Sequence, residues 1–477
     1  MTRILFGDWL PDQPAVASEG LSKADGVAAI AGGYAPIAGF APMKNGTLAA
    51  RCIGAGGYRH ADAPYLFAAT TSNIYSYSTS GYTSLASGLA GARDLGVRFC
   101  PYGAFMLATN GTDPIKRFDP ASPGTMTSLG GSPPTARYLG VVRGFVVAGY
   151  AGGSGLRVAW SDNGNSASWA PGGASEAGQY DMAGGGDVTG IVGGEYGLVF
   201  QEDRILRMTY TADDTVWQFD EIVTDAGCAA PKSLASWGKT SFFWSNRGFM
   251  TCDGVSVQAI GDEKVDRTFR SLIDRGYFGA MSAAVDPTRA LYIIAVPSAD
   301  PVTSVFLYNY AEGRWTTATL TSEFLFSALS LSSSVEDLDS VYPSIDADGL
   351  TLDGAALRGG VPSIMLFDGT HRLGTLSGPP IAATITDATR ELAPGRRSRI
   401  RNIRPLTDAA AAAVTVAGAN RRGDAMAETR YPQPQANGAF RCRENWNLTR
   451  VTLSIPAGTG WTYAQGYDAD AMAGGRP

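Results

Sequence analysis

Histidine is nearly missing from this 477-residue chain, which has only His60 and His371, and charged residues make up just 17% of it. Its five cysteines, Cys52, Cys100, Cys228, Cys252 and Cys442, lie far apart with no C-x-x-C among them. A metal centre, a histidine-based triad and a disulfide framework therefore have no support. The cysteines are expected as buried or half-buried thiols of a protein made in a reducing cytoplasm. Long apolar runs are missing too, and none approaches the roughly twenty residues that a membrane helix needs. The opening decapeptide holds one arginine, Arg3, with the turn formers Gly7 and Asp8, so neither a signal peptide nor a membrane partner is expected. A net charge of −6 gives no general attraction to nucleic acid.

What is abundant is glycine, at 60 residues, alongside 26 prolines and 44% hydrophobic residues. Scattered without a three-residue period, they exclude collagen and disorder and point to tight turns between short strands. Seven similar units recur, beginning at Tyr65, Phe105, Phe145, Leu198, Phe242, Leu291 and Ile364. Each opens with four or five residues rich in Phe, Tyr, Val, Leu and Ile. Such a run is too short for a helix and suits a strand buried on both faces. A turn of Asn, Asp and Gly and a second run follow, so each unit reads as a hairpin.

Most of the units start about 40 to 50 residues apart, the length of a four-stranded propeller blade. The expected fold is all-β: a six- or seven-bladed β-propeller over residues 46–375, an N-terminal arm over 1–45, and a small β-sandwich-like domain over 376–477. Two separate β-sandwiches are the competing architecture. The wider gap before Ile364 suggests an inserted loop around Ser322 to Gly359. One helix is expected over Asp262 to Gly276, with Val265, Phe269, Leu272 and Ile273 as an apolar stripe against a blade edge. The Ala409 to Ala413 tract fits either a helical turn or a loose connection.

Charge is distributed unevenly. Residues 396–450 hold eleven arginines against four carboxylates, about +7, which leaves −13 for the remainder. Arg396, Arg397, Arg399, Arg401 and Arg404 alternate in part with Ile400 and Ile403. A strand there buries the isoleucines and presents guanidinium groups on one side, either as a protein interface suited to carboxylates or as an ordinary solvated face. These five arginines are the candidate interface residues, and no catalytic, cofactor or metal residue is assigned.

Other motifs have plainer explanations. Trp237-Gly238-Lys239-Thr240 has the tail of a phosphate-binding loop but lacks its first glycine, and a hairpin turn explains it better. Ser161-Asp162-Asn163-Gly164 with Trp169 approaches the Asp-box hairpin of propeller sialidases, in which the aspartate ties the turn and the tryptophan packs between blades. Asp113, Asp253 and Asp368 are expected to accept hydrogen bonds from local backbone amides, and both histidines to be exposed. Arg422-Gly423-Asp424 is read as a chance tripeptide in an arginine-rich turn.

Five segments resemble the hub, nozzle or DNA-stabilisation proteins of short-tailed phage (podovirus) tails. They are Phe6 to Asp12 (FGDWLPD), Arg157 to Trp169, Gly190 to Tyr210, Gly248 to Phe269 with its Ile260 to Asp266 core (IGDEKVD), and Pro394 to Arg397 leading to Arg404-Pro405-Leu406. The resemblance implies a virion tail protein made in the host cytoplasm, not an enzyme and without cofactors. It would form a homo-oligomer, a hexamer, docked on the adaptor or head-to-tail connector, holding tail fibres or spikes and passing genomic DNA. The alternatives are a propeller that binds host surface sugar and a glycoside hydrolase, the latter requiring two carboxylates about 5 to 9.5 Å apart in a pocket.

Overall fold

A computed structural model of the chain describes residues 2–14, 18–43, 45–61, 63–78, 80–173, 175–329 and 362–474. Seven sheets radiate around one axis. Six blades are read straight along the chain, at 54–86, 98–128, 138–181, 188–223, 235–259 and 283–322. The seventh takes its first three strands, Phe324–Leu329, Pro362–Phe367 and Leu373–Pro380, from after the sixth, and its outer strand, Ala38–Pro42, from near the N-terminus. The fold is therefore a seven-bladed β-propeller closed by a strand from the opposite end of the chain. Of the inserted loop expected at 322–359, residues 324–329 form the first strand of the seventh blade, and residues 330–359 lie outside the described residues.

The seven apolar runs found in the sequence are the second strands of the seven blades, from Ala63–Ala69 to Pro362–Phe367. Each is hydrogen-bonded to the third strand of its own blade, which makes the expected hairpin. A second strand lies between two strands of its own sheet and between two neighbouring blades, so both its faces are covered and its residues can be apolar throughout. Phe145–Gly149 is buried at every position. The first strands crowd the axis and need small residues where they meet. A Cβ on Gly56 would lie 2.8 Å from the Phe99 Cβ of the second blade, and one on Gly140 would lie 2.6 Å from Ile191 Cγ2 of the fourth.

The N-terminal residues, expected as an arm, are instead woven into the second domain. Thr2–Leu5, Val27–Ile30 and Gly33–Pro36 join Ala464–Ala473, Ser398–Thr407 and Phe440–Trp446 in a six-stranded sheet. Lys23–Asp25 pairs antiparallel with Ala383–Thr386 and, at Asp25 and Thr317, parallel with the outer strand of the sixth blade, Arg314–Ser322. The sixth blade thereby continues through Leu448–Ile455, Ala413–Ala419 and Ala427–Tyr431 as one nine-stranded sheet. Facing residues such as Ile400, Ile403 and Phe440 from one sheet and Val414, Val451 and Leu453 from the other share a core with Phe249, Phe306 and Trp315 of the propeller. The arm was invisible because its strands are short and, apart from the local hairpin of Val27–Ile30 with Gly33–Pro36, pair with segments hundreds of residues away. The Ala409 tract is an irregular connection up to residue 412, and a strand begins at Ala413.

The expected helix forms only over Asp266–Leu272. Ahead of it the Gly261 carbonyl accepts the amides of Lys264 and Val265 at 3.0 and 2.9 Å, which makes a turn rather than a first helical coil. Val265 and Phe269 are buried as expected, but Leu272 is 43% exposed. The helix sits in the link between the fifth and sixth blades, where Phe269 lies 4.6 Å from Phe249 and 4.8 Å from Trp244, ring centre to ring centre.

Asp266 turns its carboxylate back to accept the Phe249 amide at 3.1 Å, in a site where Gly248 and Gly261 leave room for it. Burial pushes its pKa up to about 6, with Asp12 and Asp262 adding like charge. The raised value means that protonation favours the folded state. This contribution is complete below the unfolded value near 3.8 and is lost as pH rises through about 6. Asp266→Asn keeps an acceptor for the Phe249 amide and removes the charge. Its urea midpoint relative to the parent is expected to rise between pH 4 and pH 7 and to level off above. A difference that stays flat over that range would show that the carboxyl does not titrate there.

Candidate interaction surface

The strand Ser398–Thr407 carries three of the five candidate arginines, Arg399, Arg401 and Arg404, on the outer face of the six-stranded sheet. Ile400 and Ile403 point inward with no exposed surface, while Arg399, Arg401 and Arg404 are exposed. A spacing of three does not normally keep two residues on one face of a strand. A β-bulge between Ile400 and Asn402 supplies the extra residue and restores the phase.

The structure brings Arg399 and Arg401 beside Arg441 and Arg443 of the neighbouring strand, Phe440–Trp446, around an open groove of about 720 Å³. Among the described residues none of these four has a carboxylate partner. Four guanidinium groups on one sheet face repel one another, and a facing set of carboxylates or phosphates would relieve this. Arg404 lies further along, donating to the Asn437 carbonyl and facing Asp468 in register, and Asp468 already pairs with Arg3 at 2.9 Å. Arg396 and Arg397 lie in the turn that leads into the strand, outside the groove. Arg441 and Arg443 were missed as site residues, although Phe440-Arg441-Cys442-Arg443 has the same alternation of apolar and arginine residues.

The other motifs fall into structural roles. Trp237 to Thr240 is the first hairpin turn of the fifth blade. The Asp162 carboxylate accepts the Glu176 amide at 2.9 Å, and Trp169 packs among Leu107 and Ile115 of the second blade and Val146 of the third. Asp253 accepts the amides of Val255 and Ser256, and Asp368 those of Thr370 and Arg372. Asp113 instead bridges two loops, accepting the Ala90 amide at 2.7 Å. His60 and His371 are half-buried rather than exposed, because each lies at a packed turn, and His371 Nδ1 sits 2.7 Å from the carboxylate of Glu323. All five cysteines are buried and unpaired, and burial pushes the Cys52 and Cys100 thiols up to about 12.

The axis of the propeller is bridged on the face that carries the links between blades. Lys232, from the link between the fourth and fifth blades, donates to the Arg93 carbonyl on the opposite side at 2.6 Å and to the Gly279 carbonyl at 2.8 Å. Asp300, in a turn of the sixth blade, pairs there with both Arg51 and Arg93. Among the described residues, the cavity that remains along the axis, about 630 Å³, has no carboxylate in its lining, where glycoside hydrolysis requires a pair. Among the described residues there is no cluster of metal-ligating side chains, and no helix is long and apolar enough to cross a membrane.

No protein-family model matches the chain, and no curated protein matches it. Among solved structures it is similar to a quinonprotein alcohol dehydrogenase-like protein from Bacteroides thetaiotaomicron, at 11% identity and a TM-score of 0.34, covering 56% of this chain and 66% of that one. It is also similar to BBS1N, solved in complex with ARL6DN, at 10% identity and a TM-score of 0.38, covering 71% of this chain and 96% of that one. The assignment as a propeller rests on the blade topology itself.

Truncation separates packing from surface chemistry on the arginine strand. Ile400→Ala is expected to lower the unfolding free energy by about 3 kcal/mol, and Arg399→Ala or Arg401→Ala to change it by less than about 0.5 kcal/mol. Chemical denaturation measures both. An arginine variant as costly as the isoleucine variant would mean that the guanidinium groups are structural.

Proposed function

We propose that the chain is a structural subunit of a short-tailed phage tail, a nozzle or hub that forms a ring, continues the DNA channel below the adaptor and anchors fibres or spikes. The observation that carries this reading is the arginine face, four guanidinium groups that have no carboxylate partner among the described residues, on the outer side of a sheet that is continuous in its core with the propeller. A rigid body with one unneutralised face suits a building block that docks on an acidic neighbour.

Two further features support the reading. The FGDWLPD and IGDEKVD segments that carry the resemblance touch each other. The Asp12 amide donates to the Lys264 carbonyl at 3.1 Å, and the Asp12 carboxylate accepts the amides of Arg267 and Thr268 at the start of the helix. In addition, the propeller axis is bridged on one face, which suits a ring whose polymer channel runs between copies rather than through one. With −13 outside the arginine-rich stretch, the surface left for such a channel repels phosphate and lets DNA slide, where a basic lumen would hold it.

Negative-stain imaging and native mass spectrometry of the purified protein, alone and with an adaptor candidate, test the proposal. The expected result is a closed ring, sixfold in the hexamer reading, whose assembly weakens at least tenfold in the Arg396→Glu/Arg397→Glu and Arg399→Glu/Arg401→Glu variants. A protein that stays monomeric in both settings, or rings indifferent to these reversals, would overturn it.

A further inference from the structure

We propose that the axial cavity of the propeller binds a small organic oxyanion, with its carboxylate or phosphate group seated on Arg98. The cavity is formed by the first strands of the second, third and fourth blades, Arg98–Tyr102, Tyr138–Val142 and Val188–Val192, with Pro231 and Leu234 from the link that follows the fourth. Arg98 stands at the start of its strand, on the link face of the disc, and its Nη2 reaches across the axis to the Pro231 carbonyl at 3.0 Å. Together with Lys232, which crosses the axis in the same layer, it closes that end. The cavity is thus a blind well with a cationic floor.

Arg98 is not neutralised. Among the described residues no carboxylate pairs with it, and its buried Nε–H has no acceptor. The Tyr138 ring, 5.9 Å away, is its aromatic neighbour. A buried guanidinium without a counter-charge is costly, and an oxyanion entering the well would supply that charge. A volume of about 630 Å³ admits a compact molecule, and Leu139, Val141 and Ile191 offer apolar wall to its body.

Lys232 gives the binding a protonic signature. Burial lowers its pKa to about 7, with Arg98, Arg51 and Arg93 pushing the same way and Asp94 opposing. An anion placed beside Arg98 favours the charged lysine, so binding should take up a fraction of a proton near pH 7.5 and none near pH 5.5, where the ammonium is already formed.

The test is calorimetric titration of the full chain with benzoate, phenyl phosphate and benzyl alcohol, in buffers of different ionisation enthalpy. Benzoate or phenyl phosphate is expected to bind once per chain and at least tenfold more tightly than the neutral alcohol, the better of the two anions identifying the headgroup. Proton uptake should accompany binding at pH 7.5 and vanish at pH 5.5, and Arg98→Met should weaken the anion at least tenfold. Equal binding of alcohol and anions, or no binding of either, overturns the proposal in the parent protein alone, even if Arg98→Met fails to fold. Binding that survives Arg98→Met, or that is lost in Arg399→Glu/Arg401→Glu, would move the anion to the sandwich face and equally overturn it.

Discussion

The guanidinium of Arg314 gathers the two ends of the fold. It begins the outer strand of the sixth blade and donates to the Gly7 carbonyl at 2.7 Å and to the Tyr34 hydroxyl at 2.9 Å. Its Nε lies 2.7 Å from the Asp8 carboxylate, and its plane sits over the Tyr34 ring at 4.7 Å. Tyr34 in turn donates to the Gly7 carbonyl at 2.7 Å. With only 11% of the Arg314 side chain exposed, these bonds are made in a low-dielectric setting where each matters more than at the surface. They fix the N-terminal segment in the crevice between propeller and sandwich. From there the chain supplies three strands to one sandwich sheet, one strand to the other, and the outer strand that closes the seventh blade.

That threading explains why the propeller and the sandwich share one core. Trp9 inserts between them, 5.5 Å from Phe306, while Phe6 lies 6.2 Å from Tyr467 of the last strand. Trp315 sits 4.5 Å from Phe249 and donates its indole N–H to the Ile260 carbonyl. The segments Phe6 to Asp12 and Ile260 to Asp266 thus meet at this junction. With one shared core, force applied at the sandwich reaches the propeller without a hinge.

The repeat was legible in the sequence, though its count stayed open between six and seven blades, because second strands are covered on both faces and therefore read as short unbroken apolar runs. The first strands left little trace, since glycines such as Gly54 and Gly56 are chosen for close approach at the axis. Some outer strands, such as Met126–Ser128, Gly178–Asp181 and Val257–Ala259, are largely exposed and look like loop. The arginine strand was legible through Ile400 and Ile403, but the bulge that keeps both inward was not. Its partner arginines at 441 and 443 required the pairing of two strands about forty residues apart. The five N-terminal strands were not read because each is short; Val27–Ile30 and Gly33–Pro36 form a local hairpin, and the other partners lie at 317, 374–386 and 464–469.

Propeller and sandwich, stitched by the N-terminal segment around Arg314, are expected to unfold as one cooperative body. Differential scanning calorimetry of the parent and of Arg314→Met tests this most directly. The expected result is a single transition in each, with calorimetric and van't Hoff enthalpies in agreement and the whole transition moved to lower temperature in the variant. Two separable transitions in the parent, or a shift confined to one part of the variant's profile, would contradict it.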